Sequence, residues 1–278
     1  MTAVVLATAS AAVYGMADFF GGLASKRSPV YAVVAISQIA GVALLVALIP
    51  FLPGSFSPAA LAWGALAGLA GGGGLVIFYR ALASGVMSVV APTTAIASAA
   101  IPVVYGLITG ERPKPLALLG IALAILAVAL ISREPGGGGR VTLAPVLAAL
   151  AAGAGFGGFF ILLKVAPADA GLWPLLGARF SSIALVVTIA LVTARSLRPG
   201  AGSLRVIASA GVLDMGANIF YLLAVQQGGL LSLIAVLASL YPASTLLLAR
   251  YILGERLRLM QMGGVALALG AVGLIAAA

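Results

Sequence analysis

Long apolar runs alternate along the chain with short polar breaks. The runs cover 3–23, 31–52, 59–80, 86–108, 115–132, 143–165, 172–194, 204–225, 229–251 and 258–277. Each is close to the roughly 20 residues an α-helix needs to cross the hydrocarbon core of a bilayer. Turn and charge signals fill the breaks, among them Lys26-Arg27-Ser28-Pro29, Pro53-Gly54, Ser84-Gly85 and the stretches 110–115, 133–140, 167–171, 195–202, 226–229 and 254–258. The pattern predicts an all-α membrane protein of ten transmembrane helices. The first run has no basic leader and is followed by further spans of the same kind, so it reads as a mature helix and not as a signal peptide.

The two halves of the chain repeat one another. Gly110-Glu111-Arg112 recurs as Gly254-Glu255-Arg256, an offset of 144, and in the helices that follow Gly120 meets Gly264 and Leu130-Ile131 meets Leu274-Ile275. Upstream, Tyr14-Gly15 matches Phe156-Gly157 and Phe78-Tyr79 matches Phe220-Tyr221, both at an offset of 142. Apolar composition alone would give scattered Ala and Leu matches; a polar triplet in register is a stronger signal. The repeats fall at 1–132 and 143–278 with a linker at 133–142. Each holds an odd number of spans, so corresponding positions lie on opposite sides of the membrane. Inverted repeats of this kind are typical of secondary transporters, which bind substrate near the midplane between the repeats.

Composition narrows the chemistry. Of 278 residues 63% are apolar and 8% charged, a third of the roughly 25% that a water-facing surface needs. Histidine and cysteine are absent, which excludes a His-based triad, a thiol nucleophile, a disulfide framework, a Cys/His zinc site and His-ligated haem. The carboxylates are Asp18, Glu111, Glu134, Asp169, Asp214 and Glu255, an inventory too thin for an enzyme, and no metal or cofactor is called for. A net charge of +9 is spread between the apolar runs instead of forming the basic stripe that nucleic acid requires. Counted on alternate connections, Lys and Arg divide eleven to three. Because cytoplasmic loops carry the excess, both termini are expected outside and the 133–141 connection inside.

Several residues stand out against the apolar background. Asp18 lies late in the first span, where a carboxylate costs roughly 2.5–3.5 kcal/mol unless it meets water or a partner. It reads either as a contact for a substrate amine or a proton, or as a group paired with Lys26, Arg27 or an interfacial water. Asp214 and Asn218 share a face of the eighth span with Tyr221. They read as cavity lining or as interhelical packing, with Arg179 a partner for Asp214. Tyr14, Phe19, Phe20, Phe78, Tyr79, Phe156, Phe159, Phe160, Phe220 and Tyr221 supply aromatic surface where the helices converge, suited to a small amphipathic solute; ordinary packing is the alternative for each singly. Pro92, Pro102 and Pro242 interrupt spans four and nine, and Ser88, Thr93, Thr94, Ser98, Ser232, Ser239 and Ser244 place hydroxyls there. Gly64, Gly68 and Gly72, like Gly153 and Gly157, form bare ridges for close helix approach. The glycine run 71–74 lacks the lysine of a phosphate loop and lies within a span, which rules out nucleotide binding. The Glu-Arg pairs at 111–112 and 255–256 read as structural, bonding to loops and helix ends.

The chain resembles the ten-helix EamA-type branch of the drug/metabolite transporter superfamily over essentially its whole length. The resemblance rests on Tyr14-Gly15, Phe156-Gly157, Arg179, the stretch 78–83 leading into Val90-Ala91-Pro92, and the endings Leu107-Ile108-Thr109-Gly110-Glu111-Arg112 and Ile252-Leu253-Gly254-Glu255-Arg256. It departs at Gln38, matching Arg179 in the first half, and at Asp18. The resemblance implies a secondary carrier in the cell membrane, of the bacterial inner membrane. Similar members export amino acids and related metabolites, and a YddG-like subgroup moves aromatic amino acids. The substrate-binding residues expected from the residue reading and the shared motifs together are Tyr14, Asp18, Phe78, Tyr79, Pro92, Phe156, Arg179, Asn218 and Tyr221. A monomer is expected, since one chain holds both repeats, and facilitated export, since neither intramembrane acid has an evident relay partner. A membrane enzyme, a passive channel and a carrier of drugs or other metabolites are the competing readings.

Overall fold

The structure is a computed structural model that describes residues 1–84, 87–131, 143–254 and 258–278; within these, the side chains of 79–80, 82–84, 87–89 and 91–92 are not described. The backbone is helical throughout, with no strand among the described residues. A segment in hydrocarbon must satisfy its own N–H and C=O groups, and an uninterrupted apolar run does so as a helix. The helices are α1 (Thr2–Ser25), α2 (Val30–Leu48), α3 (Pro58–Ser84), α4 (Met87–Ile108), α5 (Pro115–Ile131), α6 (Leu143–Val165), α7 (Trp173–Val192), α8 (Leu204–Gln226), α9 (Leu231–Ala238), α10 (Tyr241–Leu253) and α11 (Leu259–Ala277). They form ten spans, because α9 and α10 together make the ninth. Eight spans are long and apolar enough to cross a membrane by length and composition, and the other two contain shorter apolar stretches, Thr93–Ile108 and Pro115–Ile131.

Span nine departs from the single helix expected over 229–251. It stops at Ala238 and restarts at Tyr241, with Pro242 in the first turn of α10. The proline has no N–H to give to residue 238 and its ring clashes with that carbonyl, so the chain turns there. Span four, by contrast, runs as one helix from Met87 to Ile108 through both Pro92 and Pro102.

The repeats interlock. α1 packs on α8 as α6 packs on α3, α3 on α7 as α8 on α2, and α4 on α6 as α9 and α10 pack on α1. α5 pairs with α11. Each helix therefore finds its main partners in the other repeat. Small residues make the approach close: a Cβ at Gly64 or Gly68 would strike the carbonyls of Pro174 or Ala178 on α7, and one at Gly211 the Ser37 carbonyl on α2. Lipid offers no hydrophobic force between helices, so such contacts and interhelical hydrogen bonds carry the association, the latter worth about 0.6 kcal/mol each on average. Ser10 donates to the Ala217 carbonyl (2.8 Å), Ser181 to that of Ala65 (2.8 Å) and Thr94 to that of Ala149 (3.1 Å).

The repeated triplets end their helices in one way. Gly110 and Gly254 both take positive φ, 101° and 70°, closing α4 and α10 in a conformation that favours glycine. Glu111 then turns to the other repeat, where its carboxylate accepts from the backbone N–H groups of Leu231 and Ser232 (2.9 Å for the latter) at the start of α9. This agrees with the structural role expected for it; Glu255 and Arg256 lie outside the described residues.

Candidate functional site

A cavity of about 250 Å³ lies between the repeats, walled by α1, α2, α3, α4, α6, α7, α8 and Tyr241 at the start of α10. Apart from Leu175 in the first turn of α7 and Tyr241 at the break in span nine, its lining residues sit well inside their helices, the level at which a carrier built from inverted repeats binds its substrate.

One wall is polar. The Tyr14 hydroxyl on α1 donates to the Asn218 side-chain oxygen on α8 (2.8 Å), and the Asn218 amide donates to the Asp214 carbonyl one turn earlier (2.7 Å). Asp214 in turn is ion-paired with Arg179 on α7, its side chain 38% exposed against 13% for the arginine. Gln38 on α2 accepts from Ser182 on α7. The expected alternatives for Asp214 thus coincide, since it lines the cavity and ties α8 to α7. Asp18 also lines this wall, one turn from Tyr14, and is open to the space. No ion pair joins it to Lys26 or Arg27, and it has no charged partner among the described residues. With Asp18 and Asp214 against Arg179, the described lining residues carry one net negative charge.

The facing wall is apolar. Phe156, Phe159 and Phe160 of α6 lie beside Gly68, Gly71, Gly72 and Leu75 of α3. A Cβ on Gly68 or Gly72 would press on α7 and one on Gly71 on the Phe159 ring, so these glycines set how closely α3 lies against its neighbours. Phe156 is backed by Phe78, ring centroids 6.2 Å apart. Repeat symmetry relates the walls: Tyr14 and Asp18 on α1 correspond, at the offset of 142, to Phe156 and Phe160 on α6. Position 14/156 is aromatic in both repeats, with a hydroxyl only on Tyr14, while position 18/160 carries a carboxylate in one repeat and a ring in the other.

The Tyr14-Gly15 and Phe156-Gly157 dipeptides divide their work in the same manner. The aromatic residue lines the cavity and the glycine receives the opposite repeat. A Cβ on Gly15 would strike Ser244 and the Tyr241 carbonyl of α10, and one on Gly157 would press Ile101 and Pro102 of α4 at 3.0 to 3.2 Å.

Of the site residues expected from sequence, Tyr14, Asp18, Phe156, Arg179 and Asn218 come together at the cavity. Phe78 stands one layer back. Tyr221 does not reach it: the side chain is fully buried, its ring 4.5 Å from that of Phe160 and its hydroxyl donating to the Phe160 carbonyl (3.1 Å). The stripe from Asp214 continues toward α6, and Phe160 closes it off from the cavity. The side chains of Tyr79 and Pro92 lie outside those described. Phe19 and Phe20 meet edge to face, centroids 5.5 Å apart, and do not line the cavity. Among the described hydroxyls expected there, Ser98 lines the cavity while donating to the Ala95 carbonyl (2.9 Å), and Thr94, Ser239 and Ser244 bond backbone carbonyls outside the lining. Tyr241, 6.3 Å from the Tyr14 ring, was not anticipated as lining; a tyrosine directly before a span-breaking proline was the available signal.

The pattern of the EamA-like transporter family matches the chain twice, over residues 1–133 and 143–277. No curated protein matches it in sequence. A solved crystal structure of a protein 16% identical superposes with a TM-score of 0.78, covering 98% of this chain and 95% of that one, a likeness of fold.

Proposed function

Because the chain belongs to the EamA-like transporter family, a family of membrane transporters and not of enzymes, we propose that it exports small amphipathic metabolites, foremost amino acids with aromatic or apolar side chains, by alternating access. The observation that carries this reading is the two-sided cavity, with open Asp18 across from the Phe156 and Phe159 rings. An ammonium group finds its counter-ion at Asp18, and the apolar body finds the Phe156 and Phe159 rings. A few placed polar groups in a mostly apolar cavity fix the orientation of a ligand. A substrate carboxylate is received by Arg179, in exchange for part of its bond to Asp214. In this reading the repeats are 1–132 and 143–278, joined by a cytoplasmic linker at 133–142, and one chain in the bacterial inner membrane is the working unit. Export is facilitated.

A second reading is favoured by the Arg179–Asp214 pair itself. While that pair holds, the lining residues carry a net negative charge, which suits an aromatic amine without a carboxylate, as a drug or metabolite carrier of the superfamily would take. Counterflow in proteoliposomes separates the two. Phenylalanine trapped inside should drive uptake of labelled phenylalanine, and phenethylamine should compete weakly. Counterflow with phenethylamine alone would select the amine carrier; none with any member of an amino acid panel would reject the amino acid reading.

A further inference from the structure

A second cavity, of about 600 Å³, lies between the ends of α2, α3 and α7 that carry the basic loops. It exists because α2 and α3 both pack on α7 but hardly on each other. Val30, Val76 and Val186 give it apolar walls, and exposed Thr193 and Arg195 stand at its rim. Among the described residues one lines both this space and the central cavity: Leu75 of α3, half-buried. The turn of α3 before it is Gly71-Gly72-Gly73-Gly74, which has no side chains to add to the partition.

The opposite rim is tied shut by the two repeats together. The Ser55 N–H donates to the Asp169 carbonyl (2.9 Å), Gln226 to the Gly171 carbonyl (2.8 Å), and Glu111 holds the start of α9. On the basic-loop side the Gly200 N–H donates to the Ser28 hydroxyl (2.9 Å), one bond between the repeats beside the α2–α3–α7 cavity.

We propose that the α2–α3–α7 cavity is a loading vestibule for an amphipathic carboxylate, with Arg195 receiving the carboxylate at the rim and Leu75 as the side chain the solute must displace to reach the central site. The proposal rests on the transport reading above. The planar guanidinium matches a carboxylate bidentately, and the valines accept an apolar body in the same step. A leucine rotamer change is a nanosecond event, so one side chain can divide two cavities without blocking passage.

The test uses the natural absence of cysteine. Ser98→Cys reports the central cavity and Thr193→Cys the vestibule, each treated with a membrane-impermeant thiol reagent in vesicles of both orientations. Both should react from the same face. Leu75→Trp should slow Ser98→Cys severalfold and leave Thr193→Cys unchanged, and Leu75→Ala should speed Ser98→Cys, which keeps the test decisive if the tryptophan variant fails to fold. Reaction of Ser98→Cys from the face opposite to Thr193→Cys, from neither face, or at a rate indifferent to residue 75 would overturn the route. This arm needs no substrate, so a failure of the amino acid reading leaves it standing. In transport, Arg195→Gln should raise KM for phenylalanine about fivefold and leave phenethylamine unchanged. An equal effect on both, or none on either, would remove Arg195 as the carboxylate contact.

Discussion

Gly120 of α5 lies directly against Ile275 of α11, so close that a Cβ on the glycine would come within 2.7 Å of the Ile275 Cγ1. The repeat counterparts Gly264 and Ile131 meet in the same way, at 2.8 Å. The contact is reciprocal about the axis that relates the halves. It gives the first prediction. Gly120→Ala should lower the melting temperature in detergent, and Ile275→Ala in the same chain should restore part of the loss by vacating the space. Simple addition of the two losses in a double-mutant cycle would contradict the contact.

Arg179 and Asp214 should show the asymmetry of a paired charge. Arg179→Gln leaves a carboxylate alone in the wall, at a cost toward the low end of the ~3–5 kcal/mol typical of broken buried pairs, since Asp214 is 38% exposed to the cavity. Asp214→Asn in addition should recover most of that stability. Thermal unfolding of the three proteins checks this; a double variant no more stable than Arg179→Gln would speak against the pair.

Tyr221 and Phe156 should separate packing from transport. Tyr221→Phe loses the bond to the Phe160 carbonyl and should cost about 0.5–1.5 kcal/mol while leaving KM unchanged. Phe156→Ala should raise KM for aromatic amino acids at normal membrane expression. A changed KM in Tyr221→Phe would return that residue to the site.

Asp18 has no charged partner among the described residues, so Asp18→Asn should leave the folded yield intact and depress transport of ammonium-bearing solutes. Unchanged kinetics would remove it as the amine contact. For facilitated export, an imposed pH difference should give the wild-type protein no accumulation against a gradient, and concentrative uptake would show proton coupling.

The orientation is tested at two exposed positions. Single cysteines at Ser196 and Lys114 should react with impermeant reagents from inside and from outside respectively. Reaction of both from one face would reject the ten-span topology.

Much of the fold was legible because lipid makes span length and repeat register strong signals. The spacing of Gly120 from Gly264 marked two equivalent places, and the Tyr14-Gly15 and Phe156-Gly157 dipeptides marked where aromatic lining and close packing meet. The break in span nine and the position of Tyr221 were harder. Pro92, Pro102 and Pro242 look alike in sequence, and only tertiary packing decides which one stops a helix. Tyr221 shares a stripe with Asp214 and Asn218, but a stripe seven residues long spans more depth than the cavity does, and Phe160 from the other repeat covers its end. Periodicity assigns a face to a helix; which neighbour occupies that face at each level depends on a residue far away in the chain.

The interlocked packing also bears on how the protein is made. The ribosome delivers α1–α5 before any of their main partners exist, so the bare glycine faces of α3 wait in the membrane for α7 and α1 waits for α8. The amino-terminal half thus lacks its main packing partners despite its five complete spans, and α5 waits for α11, the last helix made. Insertion machinery must shelter Asp18 until the later helices arrive. The chain cut within 133–142 and co-expressed as two pieces should reassemble in the bilayer, whereas either piece alone should be cleared by membrane proteases.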